Sequence, residues 1–278
     1  MSCKFFELGF DKFRFNLPLE LFKFEIDDRE SIEQGYEAAK FQQVSRKKPT
    51  VYEKKLMGIK DRAYAKQRLV SITSQDIENA LIRTHYYCPV TQDELTFSES
   101  LLTDWSVDRV DNTRGYEPDN IVVVSSQVNR AKSNLDLEQM IAVCFKRYPD
   151  YGELNEEEWF RMVSFYFTRM KLSAGMSFSK LLGKEKGRLE RFVLFQMTCV
   201  KDKYAVKLLS LIKAQIGVSS LTRVIKLGRK RLMKKGVLND HTLYGSDKLM
   251  RMFSPVVSQI KSNPDTFDSC LLNCMYRQ

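Results

Sequence analysis

The stretch Trp105 to Leu135, WSVDRVDNTRGYEPDNIVVVSSQVNRAKSNL, restricts the fold more than any other part of the chain. Its pattern predicts a short strand over 105–110, a polar loop containing Gly115 and Pro118, a β-branched strand over 121–124 and a helix opening at Ser125 or Ser126. A strand–loop–strand–helix unit can bury its apolar side only by folding the helix back across the hairpin. In that arrangement Asp108, near the end of the first strand, and Asn129, one turn into the helix, face one point. A carboxylate and an amide oxygen directed at one point suit a hard divalent cation.

The remaining segments frame this unit. Phe13, Phe15 and Leu17 alternate with polar residues, as do Phe22, Phe24 and Ile26, and this two-residue period predicts a small N-terminal β-hairpin turning near Pro18. The rings then form a core face, with base stacking as the alternative. Residues 31–70 read as helical with a break at Lys47-Lys48-Pro49. The stretch 52–69 carries Lys54, Lys55, Lys60, Arg62, Lys66 and Arg68, either as a phosphate-tracking helix or as a solvated face. Thr73 and Asp76 have the form of a capping box, and Ile77, Leu81 and Ile82 form an apolar stripe after it. Two further helices are predicted over 135–148 and 155–172, the second largely buried.

The Gly/Ser/Lys-rich run 173–187 predicts a linker, and helices follow from Arg188. Charge is uneven: residues 183–278 hold 19 Lys/Arg against 7 Asp/Glu, whereas the first 182 hold 26 against 28. The basic surplus therefore belongs to the C-terminal part, and its natural partner is a polyanion. A predicted helix with Leu221, Val224, Ile225 and Leu232 on one face bears Arg223, Lys226, Arg229, Lys230, Arg231, Lys234 and Lys235 on the other. Such a face suits a nucleic-acid backbone, with a membrane surface as the alternative.

Only Cys270 and Cys274 of the six cysteines lie close together, at a spacing that makes them neighbours on an apolar helix face. Lys4, Glu7, Asp11 and Lys12 interrupt the apolar N-terminus, so no secretory leader is expected, and the cysteine usage fits a reducing cytoplasm. No run approaches the roughly 20 apolar residues of a membrane span.

With these residues in place, the stretch 72–140 resembles the HNH, or ββα-metal, nuclease superfamily. By this resemblance Asp108 is the first metal ligand, Asn120 the residue that ties the loop, Asn129 the helical ligand and Lys132 the basic residue that follows it, a candidate nucleic-acid contact. The family's general base is a His, and here Arg109 stands at that position, where an arginine cannot accept a proton. Two readings of Arg109 remain: a clamp on the scissile phosphate, or an ion pair with Asp111 or Asp104 that holds the loop. Asp111 is likewise either a base or a loop cap. It occupies the offset of the general base in another ββα-metal group, the non-specific DNA/RNA endonucleases. His85 is the nearest histidine in sequence, and His241 lies in a polar turn. Cys88 is followed by Pro89-Val90-Thr91, and Ser125 and Val128 stand where zinc-binding cysteines would be, so no structural zinc is expected.

The expected fold is thus α+β and mostly helical: a central ββα unit (72–172), an N-terminal hairpin with helices (1–71), a linker (173–187) and a basic helical region (188–278). The implied function is a metal-dependent DNA endonuclease with one Mg²⁺ or Mn²⁺ on Asp108 and Asn129, acting on DNA, RNA or branched DNA. The alternative is a catalytically inactive DNA-binding or regulatory module within a nucleic-acid-processing assembly. Retention of both ligands favours the nuclease. Chains with this Asp-Arg form look like those common in bacteriophages, which implies a bacterial host cytoplasm.

Overall fold

Two glycines set how the chain begins. Phe5, Leu8, Gly9, Lys12 and Phe13 recur at helical spacing, and Cys3–Arg14 forms helix α1, not the first strand of a hairpin. After a 3₁₀ turn (Leu21–Lys23), Ile26–Phe41 forms α2. The helices meet at Gly9 and Gly35: a Cβ on Gly9 would lie 1.8 Å from the Ile32 carbonyl oxygen, and one on Gly35 2.0 Å from that of Phe6. Only residues without side chains permit this crossing. The expected N-terminal hairpin is therefore corrected. The alternating phenylalanines straddle the end of α1, where the left-handed Asn16 (φ 52°) turns the chain so that Phe13 and Phe15 both point inward.

The computed structural model describes residues 3–145, 152–170, 176–184, 187–198, 203–216, 223, 226 and 247–274. It is α+β and mostly helical, with one two-stranded antiparallel sheet. The chain divides into two compact units, Met1–Arg83 with Val107–Val123 and Thr84–Ser106 with Val124–Gln278.

In the first unit, α3 (Val51–Tyr64) opens on a Thr50/Glu53 capping box, and α4 (Ser74–Ile82) on the Thr73/Asp76 box. Phe5, Leu8, Phe15, Phe24, Ile32, Met57 and Tyr64 form the core. Within it, Lys12 pairs with Asp61 at 2.6 Å, both side chains nearly out of water. The inner halves of β1 (Trp105–Arg109) and β2 (Ile121–Ser125) belong here with the loop that joins them.

In the second unit, α5 (Ser126–Lys132) starts on the Ser125 N-cap, α6 (Leu137–Cys144) on an Asp136/Gln139 box and α7 (Glu156–Arg169) on an Asn155/Glu158 box. Helix α7 is buried from Trp159 to Phe167. Residues 178–183, expected within a linker, instead form α8 (Phe178–Gly183). The reason is aromatic packing: Phe178 is fully buried between Phe167 (4.7 Å) and Phe192 (4.9 Å). Phe192, on α9 (Arg188–Thr198), also meets Phe160 of α7 at 5.5 Å. Helices α10 (Lys203–Ile216), α11 (Asp247–Ser262) and α12 (Pro264–Cys274) complete this core, and Cys270 and Cys274 are buried on α12. No helix among the described residues is long and apolar enough to cross a membrane.

This packing can be tested at two places. Gly9→Ala forces the α1/α2 backbones apart and is expected to cost about 3 kcal/mol in urea unfolding. Gly58→Ala, whose new methyl meets nothing nearer than Arg62 Nη1 at 3.5 Å, is expected to stabilise by about 1 kcal/mol through helix propensity. Equal effects from the two would refute the close crossing. The second place is Asp268, whose carboxylate accepts the Phe178 backbone N–H at 3.1 Å from each oxygen. Burial lifts its pKa from 3.8 to about 6, against the lowering effect of that bond. The folded state therefore holds the proton more tightly than the unfolded chain. Its contribution is complete below about pH 4 and is lost as pH rises through 6. Asp268→Asn retains an acceptor but not the titration, and should flatten the stability profile over that window by on the order of 1–2 kcal/mol. A variant profile parallel to the parent's would contradict this.

Candidate functional site

The loop between β1 and β2 has to turn within eleven residues, and its inward-facing backbone groups need partners. Asn120 supplies most of them. It is 1 % exposed; its Oδ1 accepts the Asp111 N–H (2.9 Å), and its Nδ2 donates to the carbonyls of Asp111 (3.0 Å) and Gly115 (2.8 Å). Val110 N–H donates to the Asn120 carbonyl at 2.8 Å, which continues the sheet up to the loop. The far side hangs on residues 69–71: Tyr116 N–H reaches the Leu69 carbonyl and Ser71 N–H the Tyr116 carbonyl, each at 2.9 Å. Gly115 permits that approach, since a Cβ there would lie 2.5 Å from the Leu69 oxygen.

Arg109 is buried, and its Nη1 donates to the carbonyls of Asn112 and Arg114 at 2.7 Å each, with the guanidinium 5.5 Å from the Tyr116 ring centre. It braces the loop from inside, and the phosphate-clamp reading is corrected: these bonds and its burial place its Nη1 in the loop interior. Of the two carboxylates expected to pair with it, Asp111 feels the Arg109 charge, while the Nη1 hydrogen bonds go to backbone carbonyls. Asp104 instead binds Thr96 Oγ1 (2.6 Å) and the backbone N–H groups of Glu99 and Ser100.

Asp111 caps the loop, its Oδ1 accepting from Thr113 N–H (2.8 Å) and Thr113 Oγ1 (2.7 Å). Burial works to raise its pKa. The two Thr113 hydrogen bonds and the Arg114 and Arg109 charges outweigh burial and hold the carboxyl below its usual range, which makes it a weaker base. Within the same loop, Arg114 bridges Glu117 (2.6 Å) and Asp119 (2.7 Å).

Asp108 is 7 % exposed on β1. Asn129, half-buried on α5, donates from Nδ2 to Ser106 Oγ at 2.6 Å, which leaves its Oδ1 as the acceptor end of the amide. Both side chains carry hard oxygen donors, the type that divalent cations such as Mg²⁺ take. Asp108 belongs to the first unit and Asn129 to the second. Among the described residues no group of three or more His, Cys, Asp or Glu is placed to hold a metal. Cys88 is buried, its Sγ accepting the Ser125 N–H at 3.4 Å.

Lys132 is fully buried, with its ammonium 4.9 Å from the Tyr166 ring centre, so the expected contact with nucleic acid is corrected to an interior position. His85 is exposed, in left-handed conformation (φ 51°), and belongs to the second unit. Arg223 and Lys226 are helical and exposed; Arg229, Lys230, Arg231, Lys234, Lys235 and His241 lie outside the described residues. Ser106 and Tyr166, which meet Asn129 and Lys132, escaped the sequence reading. Ser106 sits two residues before Asp108 on the strand, an offset that puts both on one sheet face and that was open to inspection.

The loop generates a sharp test. Asn120→Ala leaves the Asp111 N–H and two carbonyls without their partner and is expected to cost about 3 kcal/mol. Asn120→Asp, of equal size, should also destabilise because its carboxylate faces the Asp111 and Gly115 carbonyls. Faster amide exchange at Asp111 should accompany Asn120→Ala, which removes the acceptor of that N–H, and parent-like exchange in this variant would refute the closure.

Compared with family models, with curated protein sequences and with solved structures, the chain matches none.

Proposed function

We propose that the hairpin and α5 form the catalytic unit of a metal-dependent DNA endonuclease of the HNH type, with Asp108 and Asn129 as the protein ligands of one Mg²⁺ or Mn²⁺. The observation that carries this reading is the loop fastened by Asn120 directly after the Asp108 strand, followed in chain order by β2 and the Asn129 helix. When bound, the ion would supply Lewis-acid stabilisation of the scissile phosphate and lower the pKa of a bound water. The chain's own contributions are to orient and to fix. Ser106 holds the nitrogen end of the Asn129 amide. Arg109 and Asn120 make the loop rigid. Of the two residues weighed for the base within the hairpin, Arg109 is a donor only and Asp111 has its Oδ1 held by Thr113.

An arginine where the family has its histidine base favours a second reading, a DNA-binding module that does not cleave. Both readings take DNA as the partner, with the exposed Arg223 and Lys226 as backbone contacts.

Incubation of the full chain with supercoiled plasmid and with branched DNA in Mn²⁺ separates them. The nuclease reading predicts nicking that chelation abolishes, and that falls about 10- to 100-fold or more in Asp108→Asn and Asn129→Ala with melting unchanged. Parent-like nicking by either variant sinks the metal assignment. DNA binding with no nicking by the parent in any divalent ion selects the second reading.

A further inference from the structure

We propose that the first unit carries a separate surface for single-stranded nucleic acid, built from the end of α1 and the loop 42–50, with Arg14, Arg46 and Lys48 on phosphates and Phe41 under a base. The segment 40–48, KFQQVSRKK, has four basic residues and no acidic one. It is folded against the protein. Val44 N–H donates to the Ala39 carbonyl at 3.0 Å, and Lys47 N–H to the Arg14 carbonyl at 2.9 Å, so the loop lies over the last turn of α1.

Rings of the core hold the cations in place. The Arg46 guanidinium is 4.4 Å from the Phe13 ring centre, and its Nη1 donates to Asn16 Oδ1 at 3.0 Å. Lys47 and Arg14 lie 5.2 and 5.7 Å from the Phe15 ring. Phe13 and Phe15 are buried, whereas Arg14, Arg46, Lys47 and Lys48 are exposed, so the rings fix the inner side of the charges and leave the outer side to solvent. Cations positioned in advance lose little freedom on binding.

The charge is only partly compensated. Lys40 pairs with Glu37 and Lys47 with Glu53, while Arg14, Arg46 and Lys48 have no acidic partner among the described residues. At the start of the loop stands Phe41, 90 % exposed. An exposed aromatic ring at the start of a cation-bearing loop is a combination that suits unpaired strands, where phosphates meet charge and a base face meets a ring. In a duplex the base faces are stacked away from such a ring, so the exposed ring assigns the face to single strands. The proposal does not rest on the metal-site reading.

The test is fluorescence anisotropy of a labelled oligothymidylate with the full chain in EDTA, which removes any metal-dependent chemistry. In Arg14→Gln/Arg46→Gln/Lys48→Gln, all exposed positions, affinity should drop about tenfold or more, and the slope of log K against log salt should flatten by about 2, near 0.7 for each phosphate no longer neutralised. Phe41→Ala should weaken binding about 5- to 100-fold with the slope unchanged, the mark of missing stacking rather than missing charge. Several results overturn the proposal: parent-like affinity and slope in both variants; a Phe41→Ala variant that binds like the parent while duplex of equal length binds as tightly as the single strand; displacement by polyglutamate as effective as by an oligonucleotide of equal charge, which would indicate an acidic protein partner; or weakening only in Arg223→Gln/Lys226→Gln.

Discussion

Everything in the hairpin depends on one amide. Asn120 uses both ends of its side chain on the loop that precedes it, and no other residue type of that size offers an acceptor and two donors in the same plane. A carboxylate would repel the two carbonyls, and a hydroxyl would not span them. With the loop closed on itself, Arg109 fills the interior with donors for the remaining carbonyls. The loop is then small enough to hang on the Leu69 segment through Gly115. The strand ends thereby gain fixed positions without a third strand, which a lone two-stranded sheet otherwise lacks.

Local signals were legible wherever a few consecutive residues determine the outcome. The Thr73/Asp76 box, the Ser125 start of α5, the break at Lys47-Lys48-Pro49 and both strands appear where the spacing places them. The same cannot hold for Cys3–Arg14. Its apolar face is interrupted by Lys12, which belongs to the core only because Asp61 arrives from far along the chain. A period-two pattern of phenylalanines across the helix end completed the wrong impression. Residues 178–183 misled for a similar reason: glycine and serine signal a linker, yet Phe178 has partners on two other helices.

For the candidate site, residue types were readable and orientations were not. Asn120 enters the sequence reading only through the resemblance to HNH nucleases, in which an Asn before the second strand ties the loop. The role of Arg109 depends on where the Asn112 and Arg114 carbonyls point, and the burial of Lys132 on the arrival of Tyr166, neither of which leaves a trace in local spacing. Thr113 decides the standing of Asp111 in the same way: a neighbour two residues on turns a free carboxylate into a loop cap.

The Lys12–Asp61 pair has a consequence for how this chain can vary. Losing either charge alone strands the other in the core of the first unit, whereas replacing both with apolar residues of similar size can be tolerated or even stabilising. The intermediate between the two permitted states is the least stable of the three. The two positions are thus expected to drift together in related chains, so that a paired change at 12 and 61 marks the same helix contact even where little else of the sequence is shared.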